Sequence, residues 1–144
     1  LQTVEAIREV WPEKYPLLVR LSVTDWAEGG WNPEESVKLA AILKTKGVDL
    51  VDCSSGGLAA HQQIKAGPLY QTPFAEKIRK EAGIATGAVG MITTATEAES
   101  IIAEGRADIV IMARQLLREP YFPLHAAHEL GADVKWPVQY ERAK

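Results

Sequence analysis

The chain has 144 residues, 47% of them hydrophobic, with sixteen basic residues set against nineteen acidic ones and a formal net charge of −3. That is enough apolar material for one core, and no shift in composition marks a second domain, so residues 1–144 read as one domain or a part of one. The interspersed charges leave no basic face, which argues against nucleic acid as a partner, and no apolar run in the sequence is long enough to span a bilayer.

The chain opens on Leu1, and Thr3–Val10 already reads as a helix in progress. With no basic-then-apolar leader, the expectation is a piece of a longer, cytoplasmic protein. Leu17–Val23 (LLVRLSV) is the first short apolar run with strand character. Trp26 and Trp31 come next, flanking AEGG in a loop that either covers a bound molecule or packs against a further strand.

Asn32 before Pro33 signals a helix start, and Val37, Ala40, Ala41 and Leu43 recur at helical spacing over Pro33–Thr45. Val48–Ser54 (VDLVDCS) is the second strand. It contains the only cysteine, Cys53, whose apolar surroundings predict a small buried hydrophobe in a reducing compartment. Thr72–Ala82 repeats the helical pattern, Ile84–Val89 (IATGAV) the strand pattern, Thr94–Glu104 the helix and Asp108–Ala113 (DIVIMA) the strand. Gly47, Gly83 and Gly105 close the three intervening helices.

A helix followed by four strand–helix units with continuously apolar strands implies α/β architecture, parallel pairing and right-handed crossovers. A doubly wound open sheet and a segment of a (β/α)₈ barrel both use this alternation. The polar residues favour the barrel. Arg20, Ser22, Thr24, Asp25, Ser54, Ser55, Gly90, Thr93 and Arg114 fall at the C-terminal ends of the strands, the end on which barrels build their sites. The stretch ATGAVGMITTATEA asks for more than a turn, because Gly90 would let backbone amides of Val89–Met91 approach an anion, while Gly87 serves strand packing. Four strands make half a barrel, and open edges and an uncovered inner face predict pairing with the other half or with a second copy.

Six blocks in order, VRLSVTDW, VDLVDCSSGG, YQTPFAEKIR, ATGAVGMIT, GRADIVIMARQLLREPYF and PVQYERA, resemble the C-terminal half of old yellow enzymes, in the subclass of bacterial NADPH dehydrogenases and thermophilic ene-reductases. The resemblance implies strands five to eight of a TIM barrel that binds FMN, takes hydride from NADPH or NADH and reduces activated alkenes. It also implies that the substrate-gripping histidines, the proton-donating tyrosine and the flavin-tuning cysteine lie on the other half. By resemblance, Arg20 faces the N1/C2=O edge of the flavin, where a fixed cation stabilises the charge of the reduced ring. Arg114 is the phosphate arginine, with Val89, Gly90 and Ala113 supplying backbone donors; relatives usually carry glycine where this chain has Ala113. Arg142, with Gln139 and Tyr140, resembles a tail that reaches a neighbouring subunit's site, which implies a homo-oligomer.

Each residue also has a plainer reading. Arg20 pairs with Asp25 or Asp52, Arg114 with Glu119 or helix carbonyls, and Arg142 is a solvated tail charge. His61, His125 and His128 lack the spacing of metal ligands, Asp49 and Asp52 read as strand-end hydrogen bonding, and Glu97 and Glu99 as helix-surface charge. Two other functions remain open: a catalytically silent half-barrel that binds FMN or phosphate or self-associates, and a phosphosugar barrel enzyme, against which the VRLS and QYER blocks speak.

Overall fold

The computed structural model describes residues 1–143. In chain order the elements are α1 (Gln2–Val10), β1 (Leu18–Ser22), α2 (Pro33–Thr45), β2 (Leu50–Ser54), α3 (Thr72–Ala82), β3 (Ala85–Val89), α4 (Ala95–Ala103), β4 (Ile109–Ile111), α5 (Arg114–Arg118), α6 (Phe122–Glu129) and a 3₁₀ turn at Val138–Ala143. The start of α2 was legible because its cap is local. Asn32 Oδ1 accepts from Glu35 N at 3.0 Å while Glu35 Oε2 accepts from Asn32 N at 3.2 Å, a reciprocal box behind Pro33. The helices stop where the glycines stand, with Gly47, Gly83 and Gly105 all at positive φ.

The four strands form one parallel sheet in the order β1-β2-β3-β4. Leu18 pairs with Leu50, Leu50 with Ala85, and Gly87 with Ile109. Because each crossover returns beside the strand it left, right-handed connections bring their helices to one face; a doubly wound sheet reverses its strand order to cover both. The two faces differ accordingly. Val51, Cys53 and Ala88 are fully buried against Ala40, Leu43, Ala75, Ile78 and Ile101. On the opposite side of the pleat, Leu18 and Ile109 are 50% and 39% exposed, and Arg20, two residues after Leu18 on β1, is exposed as well. Gly87 belongs to this second face, where an added Cβ would lie 2.5 Å from Ile111 Cδ1, so its packing role is borne out.

Two differences from the sequence reading come from side chains that end elements early. β4 has three residues rather than six, because the Asp108 carboxylate is engaged by Thr86 N at 2.8 Å and by Arg79 Nε at 3.1 Å, and because Ala113 is already the cap of α5. Directly after β4 the chain makes the one-turn helix Arg114–Arg118, which no apolar period in the sequence had marked. Pro120 limits it: Glu119, just before the proline, adopts φ −139 and ψ 83, outside the helical region.

Cys53 is the buried hydrophobe expected of it. Burial first, and the neighbouring Asp52 charge second, push its thiol up to about 12. The native protein should therefore not react with a thiol reagent at neutral pH, whereas after unfolding one thiol per chain should react promptly; fast modification of the folded protein would contradict this packing.

Candidate functional site

The C-terminal ends of all four strands lie on one edge of the sheet, and each contributes to what gathers there. From β1, Arg20 points out of the open face. Its Nη1 donates to Asp52 Oδ2 at 3.0 Å and its Nη2 to Ser54 Oγ at 3.0 Å, both on β2. The pairing with Asp52 is thus real, yet it does not remove Arg20 from the site, since 57% of the side chain remains exposed. A guanidinium carries five N–H donors, so two bonds fix its plane and leave three free.

β3 ends at Val89, and the chain then takes two unusual residues in succession, Gly90 at φ 126 and Met91 at φ 52. A side chain at position 90 would be strained and also blocked, because its Cβ would lie 2.8 Å from Gln71 Nε2 and 3.0 Å from Tyr70 Cε1. The turn is closed behind by α4. Thr94 caps that helix, and the Glu97 carboxylate accepts from Thr93 N at 2.9 Å and from Thr94 N at 3.1 Å. Glu97 is therefore not plain surface charge, as its sequence context had indicated, but half of a capping box.

After β4, Ala113 sits at φ −116, so its missing glycine costs nothing in backbone strain. Arg114 begins α5. Among the described residues its side chain makes no hydrogen bond and no ion pair, and it is exposed. The carboxylate it was weighed against is taken: Glu119 accepts from Gln115 Nε2 at 3.3 Å and contacts His125 Nδ1 at 2.5 Å.

A cavity of about 360 Å³ lies over this edge. Arg20, Val89, Gly90, Ala113 and Arg114 all line it, together with Tyr70, Gln71 and Arg118. Three arginines border it and no carboxylate does, in a chain whose net charge is negative. Arg142 is not among the lining residues. It lies exposed in the 3₁₀ turn, whose Tyr140 ring sits 6.1 Å from that of Tyr121; the hydrogen bond with Tyr140 pushes the Tyr121 hydroxyl above its ordinary value.

The remaining candidates have structural work. Asp49 accepts from Leu17 N at 2.8 Å and from Arg8 Nη2 at 2.9 Å, a strand-end role as expected. Trp31 donates to Ser36, and Trp26 donates to Ser55 Oγ at 2.9 Å, so both tryptophans of the first loop are held by this chain itself. Among the described residues no group of three or more His, Cys, Asp or Glu side chains is placed to hold a metal, and no helix is long and apolar enough to cross a membrane. Sequence reasoning missed Gln71, buried in the cavity wall, and Arg118. No periodicity or motif singles out either one.

The sequence profile of the NADH:flavin oxidoreductase / NADH oxidase family matches residues 1–133. The chain belongs to this family. Among curated proteins similar to this family member, an NADPH dehydrogenase of Bacillus velezensis is 49% identical over 142 residues, covering 99% of this chain and 41% of that protein. An NADPH dehydrogenase of Geobacillus sp. is 50% identical over 141 residues and one of Bacillus subtilis 45% over 141, each covering 98% of the chain and 41% of the relative. The resemblance to old yellow enzymes of the bacterial NADPH dehydrogenase kind is borne out, and the chain spans about two fifths of the length of these relatives.

The Glu97 cap carries a pH signature. Its carboxyl is held below the ordinary value of 4.5, first by the backbone amide of Thr93, so its stabilising effect is complete above the unfolded value and is lost as pH falls through the lower folded one. Glu97→Gln should destabilise the protein at about pH 6, and the gap in melting temperature should narrow as pH falls below the ordinary carboxylate value. Thr94→Ala should cost about 1 kcal/mol in urea unfolding at neutral pH.

Proposed function

We infer that the chain is the FMN-phosphate-binding, C-terminal half of a (β/α)₈ barrel, strands five to eight, in an NAD(P)H-dependent oxidoreductase that reduces activated alkenes. The observation that carries the reading is the cavity at the strand ends, lined by an unpaired Arg114, two further arginines and a glycine-opened backbone turn, with no carboxylate in its lining. That donor set fits a phosphate dianion. A guanidinium fork matches phosphate oxygens in pairs, and the first-turn amides of a helix have no carbonyl partner of their own.

FMN, when bound, supplies the hydride-transfer chemistry. This chain's residues bind and orient it. Arg114 grips the phosphate, Gly90 admits the backbone of the turn to close range, and Ala113 supplies the matching approach from the other loop. Arg20 has a different task. Its plane is fixed beforehand by Asp52 and Ser54, so its free donors face an anionic ring edge without having to be ordered when charge develops.

No histidine, cysteine or carboxylate borders the cavity. By resemblance, the groups that move protons to substrate belong to the other half of the barrel, and this favours, for the chain alone, the reading of a half-barrel that holds cofactor without turnover. The bare sheet face with Leu18 and Ile109 supports the same division, since it is the face a barrel turns inward and an N-terminal half, or a second copy, would cover. The alkene, the nicotinamide donor, the homo-oligomer and a cytoplasmic location complete the proposal, with Arg142 contributed to a neighbouring subunit's site.

Two experiments in the full-length protein test this. Arg114→Ala should weaken FMN about tenfold or more and leave riboflavin, which lacks the phosphate, nearly unaffected; equal weakening of both would make Arg114 a structural residue. Arg142→Ala should lower alkene turnover while FMN content and melting temperature stay at wild-type values, and unchanged kinetics would return the tail to ordinary solvated charge.

A further inference from the structure

Gln71 is 3% exposed and occupies the N-cap position of α3, yet its side chain makes no capping bond there. Both ends of its amide are spent elsewhere. Nε2 donates to Val89 O at 2.9 Å, and Oε1 accepts from Ser55 Oγ at 2.7 Å. Ser55 Oγ accepts in turn from Trp26 Nε1 at 2.9 Å. The bonds run in one direction, from indole to hydroxyl to amide to carbonyl. The order fixes the amide: turned over, its oxygen would face the Val89 carbonyl, acceptor against acceptor.

This relay joins the loops that come after β1, β2 and β3. It also meets the chain's unusual backbone. Trp26, Leu69 and Met91 are the described non-glycine residues at positive φ, at 54, 58 and 52 degrees. Trp26 is a member of the relay, Leu69 lies two residues before Gln71, and Met91 lies two residues after Val89. Such conformations cost free energy, persist only where neighbours enforce them, and concentrate at working sites. Trp26 is further clamped by an edge contact with Phe74 at 5.6 Å and by Gln63 N donating to its carbonyl at 2.8 Å.

Holding Val89 O fixes more than one atom. The Val89–Gly90 peptide is planar with its C=O and N–H opposed, so anchoring the oxygen sets the direction of the Gly90 amide at the start of the turn. Gln71 Nε2 also stands where a Cβ at position 90 would have to go. The same side chain thus aims the turn and requires its glycine.

We propose that Gln71 is the positioning residue of the anion seat and that, through Ser55, it couples the Trp26 loop to the Val89–Gly90 peptide. The coupling deepens the phosphate reading and rests on it. By reciprocity, filling the seat restrains the Trp26 loop, and a displaced Trp26 loop loosens the seat.

The test uses Gln71→Met in the full-length protein, a side chain of similar length with no amide. FMN affinity should fall about tenfold or more while riboflavin affinity changes less than about twofold. In the wild type, the Trp26 indole N–H resonance, assigned by its loss in Trp26→Phe, should move on adding FMN; in Gln71→Met it should stay still. FMN and riboflavin weakening equally, or an indole response that survives the substitution, overturns the proposal. If the wild type itself binds FMN no more tightly than riboflavin, the phosphate reading fails separately, and the unliganded protein decides the role of Gln71. Amide exchange at residues 90–92 that is faster in Gln71→Met by about tenfold or more upholds it, and unchanged exchange overturns it. Should Gln71→Met fail to fold, Ser55→Ala breaks the same relay one bond earlier and is judged by the same comparisons.

Discussion

Parallel strands taken in sequence order constrain everything else in this chain. Such strands send all their C-terminal ends to one edge, so residues far apart in sequence, Arg20, Ser54, Val89 and Ala113, come to lie at the same edge of the sheet. The same order, with crossovers of one hand, gathers the helices on one face. One side of the sheet can then be packed to fully buried Val51, Cys53 and Ala88, while the other is left with Leu18 and Ile109 in the open. Stability and site are divided between the faces and ends of one small sheet.

How much the sequence disclosed depends on how local each interaction is. The strands and three central helices were legible because apolar period is written within a dozen residues, and the caps because Asn32 and Glu35 are three apart. Glu97 stands in the same relation to Thr94 and was readable by the same rule, but its acidic neighbour Glu99 made both look like surface charge. Pairings set by register were another matter. Arg20 meets Asp52 across 32 residues, so the sequence offered Asp25 as an equal alternative, and only the alignment of Arg20 with Asp52 between β1 and β2 decides between them. Gln71 was illegible for a stronger reason: its position before a helix predicts a cap, and its side chain turns instead to Ser55 and Val89, 16 and 18 residues away. The positive φ of Met91 carried no signal either, since methionine gives no cue to such a backbone.

The distribution of charge leaves the cavity at the strand ends lined by arginines and by no carboxylate in a chain with more acid than base. Its carboxylates near the site are occupied elsewhere, Glu97 by backbone amides and Glu119 by His125 and Gln115, while at the opposite, N-terminal edge of the sheet Asp108 is held by Arg79 and the Thr86 amide. Farther off, Glu76 is held below its usual value by Lys80 first and Arg106 after it. Asp52 is the exception that faces Arg20, and it orders that arginine without enclosing it. Arg114 is left unpaired and close to the turn at Gly90. Two arginines in one cavity therefore differ in kind, one fixed in plane by an anion of its own chain and one with its full donor set available.

The turn at Gly90 owes its shape to the core beneath it. A backbone bent through positive φ at Gly90 and Met91 has no ladder to hold it, so something rigid must, and Gln71 is rigid because it stands at the head of a buried helix. Immediately beyond Gln71, α3 buries Thr72, Ala75 and Ile78 between β2 and β3, three successive anchors on one helical face. A helix seated that firmly carries its first residues to a fixed place above the strand ends, and the amide of Gln71 reaches Val89 from there. The shape of the Gly90 turn is thus borrowed from apolar packing on the far side of the sheet, passed along α3, and delivered by one hydrogen bond to a single carbonyl oxygen.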